Sequence, residues 1–196
     1  MHLSNKHEQR SATPLHDTSD LVIRYGGVCL RKTSPPCPSQ LCQTARIRKI
    51  AVYKRFMDEG CIRGFDFAIA ELESDLRFDG STSPICLPNG NFSLMAAYNL
   101  YDFGFGENEL GEKMSRLNYG SAMITAVSQY HDFIRAGPIF SSNRLQGFFK
   151  QRAYLIGIHS FGPKFCDDGA PFTVTDVRPY AHLICRVTGV CYQLAT

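Results

Sequence analysis

The residues able to do nucleophilic, acid–base or metal chemistry are scattered through this chain of 196 residues rather than gathered in one motif. The six histidines, at 2, 7, 16, 131, 159 and 182, stand singly. An isolated histidine is more often a locally hydrogen-bonded or surface residue than a proton shuttle. The eight cysteines fall at 29, 37, 42, 61, 86, 166, 185 and 191 with no Cys-x-x-Cys among them. That spacing argues against a zinc ribbon or a thioredoxin-type redox pair. Cys37 and Cys42 have His16 as their nearest histidine, so a zinc knuckle would need further ligands from distant sequence. No metal and no organic cofactor is therefore expected. Asp66 differs from these. It interrupts the apolar run Phe65-Asp66-Phe67-Ala68-Ile69-Ala70, where a carboxylate is costly to bury unless partners receive it.

Elements must position these residues, and the composition bounds what the elements can be. Apolar residues make up 44% of the chain and charged residues 20%, the balance of a globular protein. The length suits one domain or two small subdomains. No window approaches the ~18 apolar residues of a spanning helix, which excludes an integral helical membrane protein. Nucleic acid is not expected as a partner, because the net charge is only +3. The charge is lopsided, with 10 Lys/Arg against 3 Asp/Glu over residues 1–55 (+7) and 11 against 15 over 56–196 (−4). Arg46, Arg48, Lys49, Lys54 and Arg55 are expected to form the solvent face of a strand pair, the alternative being a basic surface for an anionic partner. Many scattered cysteines suit an oxidising, extracellular setting, and Asn91-Phe92-Ser93 is an N-glycosylation sequon. Residues 1–10 lack the apolar stretch of a secretory signal. Secretion is expected nonetheless, with this chain beginning inside a longer protein.

Short apolar runs bounded by Gly, Pro, Asn and Asp recur at Leu21–Tyr25, Ile47–Tyr53, Phe65–Leu72, Asn99–Phe105, Ala122–Val127, Gly137–Phe140, Ala153–His159 and Phe172–Val177. Runs of this length and spacing predict an all-β sandwich or barrel. One helix is expected near the end, opened by Val177-Arg178-Pro179 and carrying Ala181, Leu183, Ile184 and Val187. Lys32–Thr44, with three prolines and two cysteines, reads as a stapled loop, and residues 1–20 as a flexible or truncated N-terminal tail.

Several of these segments together resemble trypsin-like serine proteases. Phe65–Leu72 resembles the strand that carries the family's catalytic aspartate. Pro84-Ile85-Cys86-Leu87-Pro88 resembles the loop that follows, and Phe103-Gly104-Phe105-Gly106 the strand opening the second barrel. Leu155–Gly162 is similar to the substrate-binding strand and ends in Ser160-Phe161-Gly162. Thr173–Val177 and Tyr180–Ile184 resemble the last strand and the C-terminal helix. The order is the family's, and the set covers residues 21–196. Tyr25-Gly26-Gly27-Val28-Cys29 and Gly60-Cys61 further resemble divergent members of nematode type. The resemblance implies a double β-barrel with a C-terminal helix. The first barrel, residues 21–95, is incomplete at its N-terminus; the second spans 96–196; the boundary falls near residues 88–98. It also implies that Asp66 is the triad aspartate and that Ser160, Phe161 and Gly162 bind substrate.

The rest of the family's chemistry is missing. The nucleophile of these proteases stands in Gly-Asp-Ser-Gly-Gly-Pro, a loop that also supplies the amides of the oxyanion hole. No Gly-x-Ser-Gly occurs in the chain. Alignment on Gly137-Pro138 puts Arg135 in the serine's place within a loop, Ile134 in that of the preceding aspartate and Phe133 in that of the oxyanion glycine. His131 stands where the family has the cysteine partnering Cys166, which is then left as the free thiol. Neither Ser121 nor Ser128 has the surroundings of a nucleophile. No histidine has the family's Ala-Ala-His-Cys setting; His16, the nearest candidate, follows Pro14. Contraction between Phe105-Gly106 and Gly137-Pro138 is expected to remove the primary specificity pocket.

The resemblance therefore implies a secreted, catalytically inactive protease homologue with a binding or regulatory role. Its partner would be a peptide or protein, including an active protease, and no membrane. The alternative is a truncated or rearranged version of an active secreted endopeptidase. The resemblance implies Cys86 paired with Cys185 or Cys191, and Cys29 paired with Cys37, Cys42 or Cys61.

Overall fold

A computed structural model describes residues 12–15, 18–30, 43–59, 64–88, 100–106, 112–127, 133–138, 153–162 and 171–191. They form two antiparallel sheets and a short C-terminal helix, as the all-β reading expects.

The first sheet is built on β3, Gln43–Tyr53. β1 (Ala12–Leu15) and β4 (Ala68–Leu72) pair with its C-terminal part, and β2 (Val22–Tyr25) with its N-terminal part. β1 corrects the expectation of a flexible tail over 1–20, because Ala12–Leu15 completes the ladder to Ile50–Tyr53. A register shift between Ile47 and Lys49 leaves Arg48 as an extra residue against β4. Such a bulge breaks the two-residue alternation. Arg46, Arg48 and Lys49 are accordingly all exposed, while Ile47 is buried. Lys54 and Arg55 are exposed as well, but in helix α1, Lys54–Glu59, rather than in a strand. Lys54 pairs with Asp58 and Arg55 with Glu59 one turn on. Such pairs each contribute a few tenths of a kcal/mol, about 0.2–0.5, to a helix too short to show apolar periodicity.

The second sheet has the order β5-β6-β7-β9-β8. Its strands are β5 (Leu100–Gly104), β6 (Asn118–Val127), β7 (Phe133–Pro138), β8 (Gly157–Phe161) and β9 (Phe172–Asp176). Directly opposed residues share a face. Leu100 and Ala122 therefore lie on the inner face, and Tyr101, Phe103 and Tyr119 on the outer, exposed one. Two strands are displaced from the sequence expectation. β7 begins four residues before Gly137 and its described part runs to Pro138, with residues 139 and 140 of the expected run outside the described residues. β8 begins at Gly157 rather than Ala153, because Ala153–Leu155 bonds instead to Cys86.

Gly157 is required where it stands. A Cβ there would lie 2.7 Å from Val174 Cγ2 and 3.1 Å from Val174 Cβ on the neighbouring strand. Gly157→Ala is expected to destabilise the protein by about 1–3 kcal/mol through overpacking. Gly104→Ala, which meets nothing within 4 Å, is the control. Denaturant midpoints measure the difference.

The two halves join through backbone and aromatic contacts. Leu30 N donates to Ser115 O (2.8 Å) and Leu117 N to Val28 O (2.7 Å). Cys86 N donates to Ala153 O and Leu155 N to Cys86 O. Between them, Phe67 stacks on Tyr180 at 4.2 Å and Tyr53 meets the same ring edge-on at 5.1 Å. Tyr180 ends a 3-10 turn, Arg178–Tyr180, that leads into α2, Ala181–Thr188. Gly189, at φ 76°, closes α2 in the left-handed conformation that glycine adopts without strain. The proposed boundary at 88–98 falls almost wholly on residues 89–99, outside those described.

The disulfides correct one expectation. Cys185 bonds to Cys191, six residues on, and Cys86 is a free thiol. The turn at Gly189 folds the chain back so that the two C-terminal cysteines pair with each other rather than with Cys86. Cys29 is disulfide-bonded. Its partner is one of Cys37, Cys42, Cys61 and Cys166, all outside the described residues, as is the expected free thiol at Cys166.

Candidate functional site

Asp66 is presented by a kink rather than by a strand. Gly64 and Phe65 have φ of 89° and 62°, and Phe67 N bonds back to Phe65 O at 2.8 Å. Left-handed geometry costs a bulky residue about 1–3 kcal/mol and persists only where surrounding contacts impose it. Here Phe65 is buried, the Arg55 guanidinium lies 3.8 Å from its ring centroid, and Tyr53 packs beside it. The kink delays β4 until Ala68 and turns Asp66 toward the second sheet.

Two residues of that sheet receive Asp66. Ser160 Oγ donates to Asp66 Oδ2 at 2.8 Å, and Thr175 Oγ1 donates to the Asp66 carbonyl oxygen at 2.9 Å. Ser160 lies on β8 and Thr175 on β9, 94 and 109 residues away in sequence. The structure thus brings together two of the residues singled out above, Asp66 and Ser160, with Phe161 and Gly162 exposed beyond them. Ser160→Ala is expected to cost about 1–3 kcal/mol, because it leaves a half-buried carboxylate without its hydroxyl donor. The shift in thermal midpoint relative to wild type measures it.

Arg135 is not in a loop. It lies in β7, paired with Ala126 of β6 on one side and Thr173 of β9 on the other. Ile134 and Phe133 are in the same strand, opposite Val174 and Thr175. An oxyanion hole needs backbone amides aimed at open space, whereas this backbone is committed to its neighbours. Arg135 is nonetheless near Asp66. Thr175 touches Asp66, Thr173 is two residues along β9, and Arg135 is one strand over. Strand spacings of ~4.8 Å and a rise of ~3.3 Å per residue keep the two within about 15 Å.

His159 is the residue whose partner was not legible. A register shift between His159 and Phe161 leaves Ser160 as an extra residue in β8; Ser160 meets Asp66, while His159 meets Asp102. His159 Nε2 lies 3.1 Å from Asp102 Oδ2 of β5, and its ring stacks on Phe172 at 4.5 Å. The hydrogen bond to Asp102 raises the His159 pKa above the usual imidazole value, against the opposing effect of burial. A pKa raised on folding stabilises the protein fully below the unfolded value near ~6.5, and the contribution is lost as pH rises through the folded value. No spacing signal links residues 102 and 159. Among the other titratable groups, Asp176 is buried and bound by Arg178. The exposed Asp79 is held below the usual carboxylate range by the hydroxyl and amide of Ser81.

Ser121 is exposed on β6 and His182 on α2, while His16, Ser128 and His131 lie outside the described residues. Among the described residues no group of three potential metal ligands gathers, and no helix is long and apolar enough to cross a membrane. Asp66 accepts from a serine and so can orient that strand.

No family model matches the chain. It is 22% identical over 183 residues to human transmembrane protease serine 11A, an alignment taking in 81% of this chain and 42% of that protein. The chain thus spans less than half the length of this curated relative. The similarity supports a relationship to the trypsin-like serine proteases, in keeping with the all-β fold.

Proposed function

We propose that the protein is a secreted trypsin-like serine protease homologue that has lost catalysis, of the divergent nematode type, and binds an extended peptide or protein segment along Ser160-Phe161-Gly162. The observation carrying this reading is the 2.8 Å bond from Ser160 to Asp66. It holds the β8 backbone in a defined place while Arg135 sits in a strand paired on both sides. Asp66 is the remnant of a triad, and its work is now structural. Peptide addition to an exposed strand needs backbone groups and a pocket or two, not a nucleophile. The partner is a peptide or protein, an active protease among them. Disulfide bonding at Cys185, Cys191 and Cys29 supports an oxidising compartment. The similarity to a named protease favours a second reading, a piece of an active secreted endopeptidase.

The binding reading is tested by selecting peptides from a random display library on the purified protein. The best peptide's Kd is then measured against wild type and Phe161→Ala. Phe161 is 48% exposed, so its truncation leaves the core intact. At least a ~10-fold loss of affinity with an unchanged Tm is expected of an exposed aromatic anchor. Absence of any enriched peptide, or an affinity indifferent to Phe161, rejects peptide binding at β8.

A further inference from the structure

β5 and β8 are the two end strands of the five-stranded sheet, and they never neighbour each other in its order. In a flat sheet four strand spacings would separate them by ~19 Å. Yet His159 of β8 reaches Asp102 of β5 at 3.1 Å. The sheet therefore curls until its ends face each other, and this pair crosses the seam. We propose that the His159–Asp102 pair is a pH-sensitive latch that ties the two end strands of the second sheet together and orders β8.

The surroundings of His159 suit that role. His159 is about half exposed, and the described residues on its side of the sheet are mostly apolar: Leu100 on β5, Ala122 and Ile124 on β6, and Phe172 and Val174 on β9. Phe172 stacks on the ring and fixes its plane. Among the described residues the charged groups near it are few. Asp102 faces it from β5. Asp176 shares the row of Phe172 and Val174 on β9 but is already held by Arg178. Asp66 is bound through Ser160. Among the described residues, Asp102 is thus the one carboxylate bonded to His159.

Below the raised His159 pKa the pair is imidazolium with carboxylate, and above it imidazole with carboxylate. Both states keep the carboxylate as acceptor, but only the imidazolium adds attraction between opposite charges, so the seam is tighter at acid pH and looser at alkaline pH. His159 sits immediately before Ser160. The latch therefore acts on the strand to which the peptide-binding reading assigns function, but it does not depend on that reading.

The test needs no ligand. Backbone hydrogen exchange over Gly157–Phe161, expressed as protection factors, is compared between about pH 5.5 and about pH 8.5, which bracket the imidazole range. In wild type, protection is expected to fall about two- to fivefold across that interval, the worth of one half-exposed ion pair. In Asp102→Asn it should be low and flat. In His159→Gln, which keeps a donor without a titrating charge, it should be flat as well. The His159 ring proton followed by NMR should titrate at lower pH in Asp102→Asn than in wild type. Equal protection across pH in wild type, or an unshifted His159 titration in Asp102→Asn, overturns the latch. Either result leaves peptide binding at Phe161 to be judged by its own assay.

Discussion

Tyr180→Ala is expected to lower the free energy of unfolding by about 3–5 kcal/mol, the range for deleting a large buried ring. Tyr180 is 4% exposed and meets Phe67 face to face and Tyr53 edge to face. Phe67 and Tyr53 belong to the first half of the chain and Tyr180 to the turn before α2. One ring thus joins the first sheet to the C-terminal helix. Its hydroxyl makes the contrast sharp, because that oxygen is buried and has no hydrogen-bond partner among the described residues. A buried hydroxyl without a partner carries a desolvation penalty of about 1–3 kcal/mol. Tyr180→Phe keeps the ring and removes that penalty, so it is expected to match or exceed wild-type stability. Chemical denaturation of the three proteins checks both statements. A Tyr180→Phe loss comparable to that of Tyr180→Ala would show that the hydroxyl, not the ring, holds the halves together.

Neither the wild-type chain nor Arg135→Ser is expected to be labelled by a fluorophosphonate or to hydrolyse a peptide or ester substrate. Removal of a protease nucleophile alone lowers turnover about 10⁶-fold. What survives such a loss depends on an intact oxyanion hole. In β7 the backbone at Phe133, Ile134 and Arg135 is paired with β9. A serine placed at 135 would have no open amides beside it. Asp66 would not help, because among the described residues no histidine is bonded to its carboxylate. Stoichiometric labelling of wild type that vanishes on changing one serine would overturn the inactive reading and favour the protease reading instead.

Asp66 is legible from its resemblance to the family's aspartate strand and from the cost of a carboxylate in an apolar run, and the structure gives the carboxylate one hydroxyl donor, Ser160, while Thr175 binds its backbone carbonyl. β2, β3, β5, β6 and β9 fall close to runs marked by β-branched and aromatic residues. α2 was legible from Pro179 and the apolar spacing behind it. These are local signals, and local signals survive in a linear chain. α1 carried no such signal, since two charge pairs on six residues leave no apolar stripe.

The amino-acid sequence by itself determined the all-β class, the C-terminal helix and the isolation of Asp66 among apolar neighbours. Only the tertiary structure decided what Asp66, His159, Arg135 and Cys86 meet. Ser160 comes to Asp66 across 94 residues and His159 to Asp102 across 57. Nothing in the spacing of those residues encodes either pair, because each follows from how the second sheet curls and docks. Arg135 was misread for a related reason. Gly137-Pro138 suggests a loop before it, yet a strand's limits depend on which neighbours can pair with it, and β6 and β9 were both available. Cys86 is free while Cys185 and Cys191 are bonded to each other across the turn at Gly189, a pairing set by the three-dimensional path of the chain.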